Sequence, residues 1–159
     1  MSQVNPSLSA KPLPSAPLQA DVSSPPPVVL DTNIVLDLFV FHDPATVKLK
    51  AALAEGSLRW MATAAMRDEL ERVLGYPYIV KSLQHHAISA AQVLAAFDAQ
   101  VSVETVAPRA SAVCKDPDDQ KFIDLAVAHK ALLLSKDKAV LCMKKRLLAL
   151  GVSTYIAME

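Results

Sequence analysis

Short aliphatic runs alternating with amphipathic segments predict an α/β fold, a three-layer sandwich whose central sheet is mostly parallel. Three observations carry this. Val28-Val29-Leu30 and Leu132-Leu133-Leu134 are apolar at every position, as strands buried on both faces must be. The segments between them show helical periodicity with caps at their starts. The chain is 52% hydrophobic but only 5% aromatic, so its core is built from Ala, Val and Leu.

Taken in order, seven of the eleven prolines fall in Met1–Pro27, which closes with Pro25-Pro26-Pro27. With its Ser and Gln this stretch predicts a disordered or polyproline-like tail over 1–27, followed by one domain over 28–159. Val28–Leu30 is the first strand, and Ile34–Phe41 adds one or two helical turns. Asp43-Pro44 reads as an N-cap with proline at the first helical position, opening a helix that stops at Gly56. Leu58–Met61 is a short strand, and Thr63 caps a helix over Ala64–Leu74 that ends at Gly75 and Pro77. Tyr78–His86 has no clear pattern. Ser89 caps a helix over Ala90–Ala99, and Val101–Val106 alternates as a strand does. Asp116-Pro117 opens a helix to about Lys130. After the strand Leu132–Leu134, Asp137 opens a last helix to Leu150, and Val152–Ala157 is an edge strand. Strands separated by helices imply right-handed crossovers, hence a parallel sheet covered on both faces.

Sixteen basic and sixteen acidic residues cancel, so no global field announces nucleic acid. Such a partner must be held by a local patch or by metal ions. Cys114 and Cys142 in a chain without a secretory leader point to a reducing compartment, and the start fits neither a secretory nor a mitochondrial signal. No apolar run approaches the ~18 residues of a membrane span. The expectation is a cytoplasmic protein that does not meet a membrane.

Three glycines, Gly56, Gly75 and Gly151, build neither a dinucleotide-binding turn nor a P-loop. There is no serine elbow, no CxxC and no HExxH. His85 and His86 are adjacent and point apart, and His42 and His129 are isolated. Carboxylates remain.

Asp31 follows the first strand directly, with Thr32 and Asn33 behind it. Ligands of open α/β sheets collect outside the carboxyl ends of the strands, which places Asp31 where a site belongs, with Thr32 and Asn33 at its rim. Asp is also a common helix N-cap, so the position alone decides nothing. Asp137 repeats the arrangement three residues after the strand Leu132–Leu134. On the helix over Ala64–Leu74, Met66, Leu70, Val73 and Leu74 form the apolar face, and Glu69, roughly 85° from its centre, is the acid closest to it. On the helix after Asp116-Pro117, Asp119 lies within roughly 10° of the inward face formed by Phe122, Ile123, Ala126 and Val127. First-turn acids complement a helix dipole, which accounts for Asp116 and Asp118 but not for the inward direction of Asp119.

Four converging carboxylates without histidine or thiol repel one another unless cations sit among them. Mg²⁺ or Mn²⁺, as one or two ions, suits such an oxygen-only set and would activate water for attack on a phosphodiester. Single-stranded or loop RNA fits a shallow acidic pocket that needs an accessible backbone. Lys136, Lys138, Lys144, Lys145 and Arg146 surround the last acid in sequence and supply a candidate phosphate patch, or else a solvated helix face.

Val28–Asn33 (VVLDTN), Asp68–Leu74 (DELERVL), Asp116–Ala126 (DPDDQKFIDLA) and Leu134–Asp137 (LSKD) together resemble a PIN-domain ribonuclease, in particular the bacterial VapC-like toxin components of toxin–antitoxin pairs. The resemblance spans about 28–157. It implies a metal-dependent endoribonuclease with Asp31, Glu69, Asp119 and Asp137 as its four acids, and Thr32, Asn33, Ser135, Asp116 and Asp118 as auxiliary positions. Ser135 stands where the family often has threonine. RNA, a cognate antitoxin and a second copy of the chain are the partners this implies. The proline-rich tail is a departure, because such toxins usually begin almost at the first strand. Two other readings stay open. A metal-dependent phosphatase would also start from a strand-end Asp, but usually carries a second Asp where this chain has Asn33. A non-catalytic binding module would use the acids only as caps.

Overall fold

The computed structural model describes residues 24–158. Five parallel strands form one sheet in the order β3-β2-β1-β4-β5. They are β1 (Pro27–Leu30), β2 (Arg59–Ala62), β3 (Ser102–Val103), β4 (Leu132–Leu134) and β5 (Thr154–Tyr155). The helices are α1 (Thr32–Leu36), α2 (Val47–Glu55), α3 (Ala64–Leu74), α4 (Pro77–His85), α5 (Ala90–Gln100), α6 (Gln120–His129), α7 (Lys138–Leu141) and α8 (Lys144–Ala149). The expected α/β sandwich is the observed fold. The tail predicted over 1–27 lies outside the described residues, except for its last four, of which Pro27 opens β1.

The path explains where a site must form. From β1 the chain steps to β2 and β3 in one direction, then crosses back to β4 and β5 on the other side of β1. Right-handed crossovers therefore put α1–α5 on one face and α6–α8 on the other. The direction reverses between β1 and β4, which pair Val28 with Leu132 and Leu30 with Leu134. Ligands of open α/β sheets collect just beyond such a reversal, at the strands' carboxyl ends.

β1 and β4 are the buried centre: Val28, Val29, Leu133 and Leu134 have no exposed surface. On the α1–α5 face, Trp60 fills the space between Phe39 and Phe97, with ring centroids 5.9 Å and 5.2 Å away. Burial of each such side chain contributes about 1.5–3 kcal/mol.

Local chemistry sets the helix boundaries largely as predicted. Asp43 accepts from the Ala45 N–H, Thr63 from the Met66 N–H and Ser89 from the Gln92 N–H. Several segments differ from expectation. Tyr78–His86, without a clear pattern in sequence, is helical as far as His85 in α4, opened by Pro77 at its first position and ended at His86. After α1 the backbone widens into a π-helical turn over Asp37–Phe41, ended by His42 in the left-handed conformation at φ 49°. The strand predicted over Val101–Val106 pairs only at Ser102–Val103, because its sole neighbour β2 ends at Ala62 and offers nothing further along. The closing strand likewise pairs only over Thr154–Tyr155. The predicted last helix is two, bent at Cys142-Met143 with Met143 buried at the turn.

Candidate metal centre

Asp31 is the first residue past β1, and its backbone N–H continues the ladder by donating to the Leu134 carbonyl (3.0 Å). It occupies the N-cap position of α1, yet its side chain caps nothing. Instead Oδ2 accepts from the fully buried Ser135 hydroxyl at 2.6 Å. That hydroxyl also accepts from the Asp137 N–H at 3.0 Å, so one side chain ties the acids of β1 and β4 together. Asp137 caps α7 through Oδ1, which accepts from the Ala139 N–H at 2.9 Å.

Asp119 ends the 3₁₀ turn Pro117–Asp119 that leads into α6, and it is buried, as its inward direction predicted. Asp31, Asp119 and Asp137 each offer a carboxylate oxygen within 4.8 Å of the others, a group able to hold a metal ion. Oδ2 of Asp119 is buried with no hydrogen-bond partner among the described residues. An orphaned carboxylate oxygen is costly unless something outside the protein's own donors satisfies it.

The electrostatics agree. Burial pushes the Asp119 carboxyl up to about 8, reinforced by the neighbouring Asp137 side chain and by the charges of Asp31, Asp137 and Asp116. Asp31 is raised too, first by burial and then by Asp137 and Glu69, against the lowering effect of the Ser135 hydroxyl. Three carboxylates at this spacing cannot all ionise without a cation, and hard divalent ions take such oxygen ligands. The residues present therefore fit a hard divalent cation.

A family model described as PIN domain matches residues 27–139. The chain belongs to the PIN domain family. No curated protein matches it. PIN domains are generally nucleases, and those nucleases usually use divalent metals.

The other predicted positions divide. Glu69 reaches the PIN-domain site from α3 but stands outside the three-aspartate group; its Oε2 accepts from the buried Thr32 hydroxyl and its Oε1 from Lys121 Nζ. Asn33 is exposed. Asp116 caps the turn before Asp119 by accepting from the Asp118 N–H (3.0 Å), and Asp118 is exposed. Lys136 is paired with Asp37 Oδ2 at 2.5 Å, and Lys144 Nζ lies over the Tyr155 ring at 4.9 Å. Lys138, Lys145 and Arg146 are exposed.

Two participants escape a reading of the sequence alone. Asp37 is a lone acid in the apolar run Ile34–Phe41, and an acid there signals a buried, paired charge. Lys121 sits two residues past Asp119, and only the meeting of α3 with α6 reveals its partner.

Proposed function

We propose that this PIN domain is a divalent-metal-dependent endoribonuclease, with Asp31, Asp119 and Asp137 holding the ion. The observation that carries the reading is the buried, unpartnered Oδ2 of Asp119 facing two further aspartates at the sheet's switch point. When bound, Mg²⁺ or Mn²⁺ supplies the charge that makes water nucleophilic near neutral pH and offsets negative charge growing on phosphate oxygens. The protein's own part is positioning. Ser135 fixes the Asp31 carboxylate and the Asp137 backbone together, and burial keeps competing water from the Asp119 oxygen. Single-stranded RNA is the proposed substrate, because largely buried acids at the strand ends can be reached only by a backbone that is not locked in a duplex. The order of the motifs supports a toxin of a bacterial toxin–antitoxin pair, with the antitoxin as protein partner.

The test is cleavage of single-stranded RNA by the purified chain in Mg²⁺ or Mn²⁺. Asp31→Asn and Asp119→Asn should each lose it by at least about a hundredfold while keeping the fold by circular dichroism. Full activity in EDTA would refute the reading.

A further inference from the structure

Glu69 and Lys121 form a pair inside the candidate site that the three-aspartate group does not explain. Lys121 Nζ donates to Glu69 Oε1 at 2.5 Å and to the Asp118 carbonyl at 2.7 Å. An ammonium has three donors, so two are committed and one is left. Nζ also lies 5.0 Å from the centroid of the Phe122 ring, and the Lys121 side chain keeps 27% of its exposure against 14% for Glu69, so the ammonium is open to one further acceptor. Glu69 in turn has both oxygens engaged, one by Thr32 and one by Lys121, unlike the orphaned oxygen of Asp119.

Charge points the same way. A phosphodiester approaching three aspartates and one divalent ion meets a mouth that still carries negative charge, in a chain whose net charge is zero. Of the lysines that sequence position brings near, Lys136 is held by Asp37, and Lys144 lies over the Tyr155 ring much as Lys121 lies over Phe122. Lys121 differs in pairing with Glu69, an acid at the edge of the site, and its place is fixed from two sides.

We propose that Lys121 contacts the phosphate of the bound RNA, and that Glu69 is the positioning residue that holds it there rather than a metal ligand. This rests on the nuclease reading above for its substrate, but it makes its own prediction about Glu69. The centre would be a three-aspartate site whose fourth acid, Glu69, is neutralised by Lys121 rather than by a bound cation.

The experiment uses two probes on the full chain. Mn²⁺ alone is titrated calorimetrically into wild type, Asp31→Asn and Glu69→Gln. A short fluorescein-labelled single-stranded RNA of mixed sequence is titrated by anisotropy with Ca²⁺ as the ion, its integrity checked on a gel. Glu69→Gln should keep Mn²⁺ affinity within about threefold, against a loss of about tenfold or more in Asp31→Asn. Lys121→Met should weaken RNA binding about tenfold and lower the slope of log affinity against log salt by about 0.7, as loss of one single-strand phosphate contact requires. Lys121→Arg should restore most of both. The double variant Glu69→Gln/Lys121→Met removes both charges together, and should bind Mn²⁺ like wild type and RNA like Lys121→Met, which keeps the test intact if a single variant folds poorly. A comparable Mn²⁺ loss in Glu69→Gln would make Glu69 a ligand and overturn the proposal, as would an unchanged salt slope in Lys121→Met. Wild type that binds no RNA at all would instead overturn the nuclease reading, and with it the role of Lys121.

Discussion

The Ser135 hydroxyl donates to Asp31 Oδ2 at 2.6 Å although the two residues are 104 positions apart in sequence. It joins the ends of β1 and β4 at the point where the sheet's connections reverse, and through the Asp137 N–H it sets the second acid as well. Ser135→Ala should therefore act on stability and site together. Loss of the donor leaves a buried carboxylate with one partner fewer, a cost of about 1–3 kcal/mol. It also raises the Asp31 carboxyl further, because that hydrogen bond lowers it in the native protein. Urea unfolding and Mn²⁺ titration near neutral pH should both report a loss. A variant weakened in stability but not in Mn²⁺ affinity would show that Ser135 does not set the ligand.

Protonation of Asp119 makes the metal-free protein's stability depend on pH with a definite sign. The native carboxyl holds its proton up to about 8, whereas the unfolded one releases it near 3.8. Between those values the native state binds more protons, so this contribution is full below 3.8 and is lost as pH rises toward about 8. Asp31, also raised, adds in the same direction. In EDTA the urea midpoint should fall across this window, and Asp119→Asn should flatten the fall. With Mn²⁺ present the trend should shrink or reverse, because the ion displaces the Asp119 proton and binds more tightly as pH rises. Calorimetry in buffers of different ionisation enthalpy should show proton release on Mn²⁺ binding, and no release would show that Asp119 is already ionised at that pH.

How far this site is legible in the sequence depends on whether the relevant force is local. Asp31 and Asp137 are legible because strand ends announce themselves by adjacent aliphatic runs, and Asp119 because helical periodicity gives a direction. The position of Asp31 nevertheless leaves an N-cap open, and the side chain caps nothing. The cap is replaced by Ser135, a partner available only through strand pairing. The same limit hides Lys121, whose meaning depends on α3 packing near α6, and shortens the strand after Val101, whose pairing is decided by where β2 stops. Periodicity within a segment is readable; the length of a neighbour is not.

Asp37 and Lys136 test one consequence of this. Lys136 stands among the candidate phosphate contacts by its place next to Asp137, but its ammonium is 2.5 Å from Asp37 Oδ2. The Asp37 side chain is only 10% exposed, so Lys136→Met strands a nearly buried carboxylate and should cost about 1–3 kcal/mol. Asp37→Asn/Lys136→Met, which removes both charges, should recover much of that loss. RNA binding by the double variant should keep the wild-type salt slope. A slope lowered by about 0.7 would return Lys136 to the RNA contacts.

The segment from Glu104 to Asp116 holds neither helix nor, beyond one hydrogen bond to Ala62, a strand pairing, yet it leads directly into the turn bearing Asp119. Gln120 holds it: Oε1 accepts from the Cys114 N–H at 2.7 Å, while Nε2 donates to the Ala112 carbonyl at 3.0 Å and to Asp124 Oδ1 at 2.9 Å. Asp124 extends the clamp by accepting from the Ala110 N–H at 2.8 Å. Gln120→Glu keeps the shape but replaces the donor with an acceptor facing the Ala112 carbonyl and Asp124. At neutral pH it should cost about 1–3 kcal/mol, and limited proteolysis should cut between 104 and 116 faster than in wild type. Acid should restore part of the loss, since the introduced carboxyl regains one donor when protonated. Gln120→Ala lacks that donor at any pH, so its deficit should not respond to acid. If the two variants lose stability in parallel across pH, the clamp is not polar in origin and packing alone holds the segment.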